Sequence, residues 1–233
     1  MTSIELKQAQ QTIENEIYSY AKTISLSNGN TEPIPDGIYD AESYLSSPIQ
    51  IMWVLKEPVD EITNGKPYGG GWPLYTAFDN KDAWSNRTFQ PIIYSTYGVF
   101  NKKKWEDLDW IRDNPKMVDV LKQIAYINVS KMPALLHTDD SSLREKYEIW
   151  KKILFKQINT YCPQVIIFGN TFKYFKKDLN DVKRIGGEQG IIDIYKNDKN
   201  VLLLDVYHPN QRIIKRVVYI NSIINACVNN ISY

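Results

Sequence analysis

Apolar residues follow two kinds of spacing along this chain, which predicts helices and buried strands in turn. Helical spacing begins at the N-terminus, where Thr2 and Glu5 have the form of a capping box. The helical stretches are residues 2–21, 85–100, 115–121, 143–158 and 213–224. Four apolar runs predict strands at residues 48–58, 124–133, 164–170 and 201–210, and residues 190–196 are a further candidate strand.

The alternation of strands and helices predicts the fold class. Three of the four strands are almost continuously apolar, which is typical of a parallel sheet covered on both faces. We therefore predict an α/β protein with three layers, α/β/α, around a central, mostly parallel four-stranded sheet. We expect one domain over residues 1–233, with a helix and a loop (residues 1–47) packed on it.

Composition narrows the functional classes only slightly. The chain is 43% apolar and 24% charged, with 28 basic and 27 acidic residues, and these values neither favour nor exclude a nucleic-acid partner. Cys162 and Cys227 are too few for a disulfide framework, and the polar N-terminus does not fit a signal peptide. No apolar run is long enough for a membrane span. We expect a cytoplasmic monomer without a cofactor, a bound metal or a membrane partner.

Polar side chains that could take part in binding or catalysis lie at the ends of the predicted strands. Glu57 ends the first strand, Asn128 the second and His208 the fourth. The carboxyl ends of parallel strands share one edge of a sheet, where ligands bind, so a carboxylate, an amide and an imidazole are expected to converge there. Each has an ordinary alternative: Glu57 as a surface charge, Asn128 as a partner of loop backbone, and His208 as a turn residue.

A glycine-rich loop, Gly65–Trp72 (GKPYGGGW), follows the first predicted strand. Three consecutive glycines indicate a sharp bend or a very close neighbour, which could be a phosphate, a base or another part of the protein. No Lys-Ser/Thr pair follows the glycines, so they do not form a Walker loop. The sequence likewise has no G-x-G-x-x-G fingerprint and no G-x-S-x-G elbow.

Five segments, in order, resemble the motifs of the uracil-DNA glycosylase superfamily. They are LKEP (55–58), GKPYGGGWP (65–73), INVSKMP (127–133), VIIFG (165–169) and YHPNQR (207–212). The order of these motifs is most similar to that in the thermostable-type branch of the superfamily. Met132 stands where the iron–sulfur members of that branch have a cysteine, so no cluster is expected here, and Leu55 replaces the first glycine of the family's first motif.

The resemblance implies hydrolysis of the N-glycosidic bond of a flipped uracil or other altered base in single- or double-stranded DNA. It implies that Glu57 stabilises the oxocarbenium-like sugar and orients water, and that His208 donates a hydrogen bond to the departing base. Base-binding roles are implied for Tyr68, Asn128 and Pro58. DNA-binding roles are implied for Gly69, Gly70, Gly71, Lys131, Asn210, Gln211 and Arg212.

Two other functions fit the same residues. One is a catalytically silent protein that binds nucleic acid or nucleotides with the same fold, since a lysine such as Lys56 could neutralise Glu57. The other is a hydrolase of free nucleosides or nucleotides, which the near-neutral net charge of +1 favours.

Overall fold

The structure is a computed structural model that describes residues 1–23, 31–79, 83–135 and 138–231. The strands are β1 (Gly37–Ile38), β2 (Ile51–Leu55), β3 (Glu61–Thr63), β4 (Lys66–Tyr68), β5 (Ala125–Asn128), β6 (Val165–Gly169), β7 (Lys183–Glu188), β8 (Ile192–Lys196) and β9 (Leu202–Val206). The helices are α1 (Ser3–Thr23), α2 (Ala41–Ser46), α3 (Phe89–Asn101), α4 (Asp140–Tyr161), α5 (Phe172–Phe175) and α6 (Arg216–Asn230). None of the helices described is long and apolar enough to cross a bilayer.

Seven strands form a mixed sheet in the order β1-β5-β2-β6-β9-β8-β7. The four strands predicted from apolar runs are the parallel centre, β5-β2-β6-β9. The antiparallel strands β1, β8 and β7 extend this centre, so the sheet has seven strands rather than the four predicted. The candidate strand at residues 190–196 is β8. Its neighbour β7 is largely exposed and contains two glycines, so no apolar run marked it.

Both faces of the sheet are buried, which explains the unbroken apolar runs. Along β2, Trp53 and Leu55 belong to one hydrophobic cluster, together with residues of α3 and α6. Met52 and Val54 belong to a second cluster, together with residues of α1 and α4. The helices therefore cover both faces of an α/β sheet.

The segment predicted as loop before the first strand contains regular structure. That segment is residues 26–47; its residues 26–30 lie outside the described ranges, but residues 37–38 form β1 and residues 41–46 form α2. Asp40 begins α2 because its carboxylate accepts the Ser43 N–H at 2.7 Å. Asp139 begins α4 in the same way, by accepting the Ser142 N–H at 2.8 Å. The helix predicted after Pro115 is a 3₁₀-helix, Pro115–Gln123.

The triple glycine packs against the protein's own backbone. Gly70 has φ +93°, and a Cβ at this position would overlap the carbonyl oxygen of Glu32. Glu32 N–H donates to the Gly69 carbonyl at 2.8 Å, and Gly71 N–H donates to the Pro33 carbonyl at 3.0 Å. Glycine is required here because residues 31–33 run alongside the loop without room for side chains.

Asp205 makes stability depend on pH. It lies opposite Asp193 of β8, and burial together with that negative charge raises its pKa to about 6. The unfolded chain has an ordinary pKa of about 4 at this residue. The folded state therefore loses stability as the pH rises from about 4 to about 6.

Replacing Asp205 with asparagine is expected to raise the melting temperature at pH 7.5 and to change it little at pH 4, because the charge that is removed exists only at the higher pH. Thermal unfolding at both pH values measures the effect. Asp198→Asn, at an exposed position in the turn before β9, is the matched control. An equal shift at both pH values for Asp205→Asn would contradict the assignment.

Candidate functional site

The ends of the parallel strands lie side by side at one edge of the sheet. Leu55 is in register with Asn128, and backbone pairing continues beyond it, with Ser130 N–H donating to the Lys56 carbonyl at 3.0 Å. On the other side of β2, a Cβ on Gly169 would lie 3.6 Å from the Cα of His208. The glycine allows the His208 loop to pack directly over the end of β6. The expected convergence of strand ends is thus present in the backbone.

His208 has a neutral ring with a defined tautomer. Its Nδ1 accepts the backbone N–H of Asn210 at 3.2 Å, so in the neutral ring the proton is on Nε2. Burial and the nearby positive charge of Lys56 lower the pKa of His208 to about 4. Lys56 has a carboxylate at 3.9 Å, that of Asp140, which also pairs with Lys173. His208 is therefore a neutral hydrogen-bond donor next to a cation.

The His208 ring is expected to stay neutral from pH 8 down to about pH 5, because its pKa is about 4. Imidazole ¹⁵N NMR measures both the titration and the tautomer. His137→Gln leaves His208 as the one histidine of the chain and simplifies the spectrum. Lys56→Met is expected to raise the pKa, although not to its ordinary value, since burial remains. A midpoint near 6.5 in the His137→Gln protein would contradict this assignment.

Asn128 is buried at the end of β5, with 1% of its surface exposed. Its side-chain Oδ1 and Nδ2 both lack a hydrogen-bond partner among the residues that the structure describes. Leaving such a group unpaired costs roughly 1–3 kcal/mol, and a polar partner from outside the described residues would remove that cost. The amide has an acceptor and two donors in one plane, which suits the edge of a base.

The backbone of Asn128 is held by a buried ion pair. Asp36 accepts the Asn128 N–H at 2.7 Å, and Lys131 Nζ donates to the Asn128 carbonyl at 2.7 Å. Lys131 Nζ lies 2.6 Å from Asp36 Oδ1, and neither side chain is exposed to solvent. Gln157 forms hydrogen bonds with both side chains. Burial raises the pKa of Asp36 and lowers that of Lys131, while their attraction opposes both shifts.

Lys131 is therefore a positioning residue for Asn128. The resemblance implied a phosphate contact for Lys131, but a fully buried ammonium cannot reach a phosphate. Three acceptors, on Asp36, Asn128 and Gln157, use its three donors. Lys131 does not belong to a DNA-binding surface.

Glu57, two residues after the end of β2, lines a cleft of about 350 Å³. Its side chain is 4% exposed, and its Oε2 lies 2.6 Å from Nζ of Lys146. Lys146 belongs to α4, 89 residues away, so no local pattern in the sequence marked it as a partner. Ser130 and Ser142 also line the cleft and add hydroxyl groups to it.

No model of a known protein family matches this sequence. A search of curated proteins gives no match either. The functional conclusions below consequently depend on the site itself.

The predicted base-binding residues Tyr68 and Pro58 lie at different depths. Tyr68 ends β4 of the two-stranded β3–β4 hairpin and is 39% exposed. Its neighbour Pro67 lines the Glu57 cleft. Pro58 is buried, and its carbonyl accepts the Ala134 N–H at 2.9 Å. Tyr68 has an accessible ring, whereas Pro58 holds the loop after β2.

The amides of the triple glycine have protein partners. Gly70 N–H donates to the Asp60 carboxylate at 2.8 Å, and Gly71 N–H donates to Pro33. Asp60 also accepts the indole N–H of Trp72 at 2.9 Å. These contacts stabilise the loop and leave the amides of Gly70 and Gly71 unavailable for phosphate oxygens.

The predicted DNA-binding loop after His208 lines a surface groove of about 280 Å³. Asn210 and Arg212 are exposed there. The Gln211 side chain instead caps the loop, since its Oε1 accepts the backbone N–H groups of Ile213 and Ile214. Arg87 and Arg216 line the same groove, and Arg87 had no signal in the sequence because it precedes α3 in a segment without a motif.

Proposed function

We propose that this protein is a DNA glycosylase-like enzyme that hydrolyses the N-glycosidic bond of a flipped uracil or other altered base. The observation that carries the proposal is the buried, unpaired Asn128 amide at the carboxyl edge of a parallel sheet. The pairing edge of a flipped base would supply the hydrogen-bond partners that the Asn128 amide lacks, and glycosylases recognise that edge through hydrogen bonds.

His208 and Lys56 have the properties needed to stabilise negative charge on the departing base. The C1′–N bond breaks with its electron pair leaving on the base, so negative charge develops on a base carbonyl oxygen. A neutral imidazole with its proton on Nε2 would donate a hydrogen bond to that oxygen, and the Lys56 charge beside it adds electrostatic stabilisation. A neutral donor retains its proton, and this fits a stabilising role rather than proton transfer.

The Glu57 carboxylate would stabilise positive charge on the sugar. Loss of the base leaves an oxocarbenium-like centre at C1′, which a nearby carboxylate stabilises. Water adds to C1′, and its proton leaves through the carboxylate to the released base. The ion pair with Lys146 fixes the position of Glu57, although it also reduces the negative field at the sugar.

The same ion pair favours a second candidate function, a catalytically silent protein that binds nucleic acid at these strand ends. In that case Lys146 neutralises Glu57, and the Asn128 amide serves recognition alone. The two functions differ in one product, an abasic site.

Oligonucleotides with one altered base test the proposal. The panel contains uracil, hypoxanthine, mismatched bases and modified cytosines, each in single- and double-stranded form, and alkali then cleaves any abasic product. At least one substrate is expected to give product. Undiminished product with Glu57→Gln, compared with the exposed control Glu148→Gln, would contradict the role of Glu57.

The negative outcomes separate the alternatives. No product from any oligonucleotide, together with salt-sensitive DNA binding, would overturn the enzymatic proposal and support the silent binder. Base release from free nucleosides alone would replace DNA as the substrate by a nucleoside.

A further inference from the structure

A groove beside the His208 loop is rich in arginine. We call it the basic groove; Arg87, Arg212 and Arg216 line it, along with Asn210. Arg87 and Arg212 have no ion-pair partner in the described part of the chain, and Arg216 donates to the neutral Gln90 side chain at 3.1 Å. Their positive charge is therefore available to an anionic ligand.

A second groove, of about 240 Å³, shares Arg216 with the first. We call it the aromatic groove; Trp84, Trp110 and Arg112 line it. Trp110 is 54% exposed and packs edge-on against Trp105, with the ring centroids 5.7 Å apart. An indole that is more than half exposed and held by another ring presents a fixed, planar surface for stacking.

The arginines of the chain are concentrated at these grooves. Four of its six arginines line them, whereas Arg144 and Arg184 do not. Arg144 lies over the Tyr174 ring and Arg184 pairs with Asp193, so both have partners within the protein. No acidic residue is among the described residues that line either groove, although Asp113 lies 3.5 Å from Arg112.

We propose that the basic and aromatic grooves together bind single-stranded DNA that extends from the strand end at His208. Phosphates would contact Arg87, Arg212 and Arg216, and unpaired bases would stack on Trp110 and Trp84. This combination of a basic groove with aromatic platforms is how proteins bind single strands, and arginine pairs with phosphate in a bidentate manner. The proposal rests on the proposed function for the identity of the polymer. It adds that the strand is unpaired, because duplex bases are stacked on each other and cannot reach an indole.

Binding of undamaged DNA tests this inference without any catalysis. The probes are fluorescein-labelled dT20, a 20-unit abasic strand with the same phosphates, a 20-base-pair duplex and the RNA strand U20. The protein is the full chain, and anisotropy is measured over a range of salt concentrations. We expect dT20 to bind more tightly than the abasic strand and the duplex.

Two sets of variants separate the grooves. Arg87→Ala with Arg212→Ala is expected to reduce the salt slope of dT20 binding by about 1.4, since each phosphate contact to a single strand contributes about 0.7. Trp110→Ala is expected to weaken dT20 binding by about 5- to 150-fold and to leave abasic-strand binding unchanged, because stacking requires a base. Trp110→Phe retains a ring, and its affinity for dT20 is expected to lie between those of Trp110→Ala and the unchanged protein. Arg144→Ala is the matched control and is expected to bind like the unchanged protein.

Several results would overturn the inference. Equal affinity for dT20 and the abasic strand would remove the stacking role, and equal affinity for the duplex would remove the preference for single strands. Tighter binding of U20 than of dT20 would replace DNA by RNA. A failure to release any base would contradict the proposed function alone, since these binding measurements use no scissile base.

Discussion

Replacing His208 with alanine is expected to slow base release by two to three orders of magnitude. The neutral ring, with its proton on Nε2 and its Nδ1 held by the Asn210 N–H, is a preorganised donor at the strand edge where negative charge would develop. Removal of one such donor in other enzymes costs about 10²–10³ in rate. Single-turnover kinetics on the best substrate of the oligonucleotide panel measure the loss.

The pH dependence of His208→Ala identifies the reason for the loss. Because His208 is neutral above about pH 5, the unchanged enzyme is expected to show no kinetic titration near pH 6.5. A fall in rate below pH 6.5 that disappears in His208→Ala would mean that the ring acts as a proton-transfer group with an ordinary pKa. His208→Gln keeps a donor and is the matched control. Equal rates for His208→Ala and the unchanged protein would remove His208 from the mechanism.

The parallel centre of the sheet was predictable because its signal is local. Each of the strands β2, β5, β6 and β9 is a short apolar run, and burial on both faces is what produces such a run. The positions of Asn128 and His208 follow from the strand ends. The edge strands β1 and β7 were missed because one has two residues and the other is exposed along most of its length.

The partners of the site residues were not predictable, because they come from distant parts of the chain. The resemblance implied a phosphate contact for Lys131, yet Lys131 is buried and pairs with Asp36, which is 95 residues away. In the alternative of a catalytically silent protein, Lys56 was the lysine that could neutralise Glu57. Glu57 pairs with Lys146, and Lys56 lies near His208 and Asp140 instead.

The triple glycine illustrates the same difference between local and distant information. The sequence indicates that something must come close to residues 69–71, and that indication is correct. The neighbour is residues 31–33 of the same chain, with Asp60 on the other side. The loop thus links the segment before β1 to the end of β2, and it supports the wall of the Glu57 cleft, where Thr31 and Pro67 both contribute.

Replacing Lys131 with methionine is expected to lower the free energy of unfolding by about 3–5 kcal/mol, which is the usual cost of leaving one member of a buried ion pair without its partner. The pair is completely buried, and Lys131 uses all three of its donors. Urea denaturation measures the loss. Lys152→Met, at an exposed position of α4, is the matched control and is expected to change stability by less than about 0.5 kcal/mol.

The double variant Asp36→Asn with Lys131→Met distinguishes an unpaired charge from lost packing. It is expected to be more stable than Lys131→Met alone, because no charge is then buried without a partner. An asparagine at position 36 retains an oxygen for the Asn128 N–H. Its Nδ2 takes the place of the Asp36 oxygen that accepts from Gln157 Nε2, so the Gln157 amide has to turn over to present its oxygen to it. A double variant no more stable than Lys131→Met would mean that the lost contacts of the lysine side chain, rather than an unpaired Asp36 charge, account for the loss of stability. If the pair positions Asn128, the double variant folds but releases base more slowly, since the Asn128 carbonyl has lost its ammonium donor.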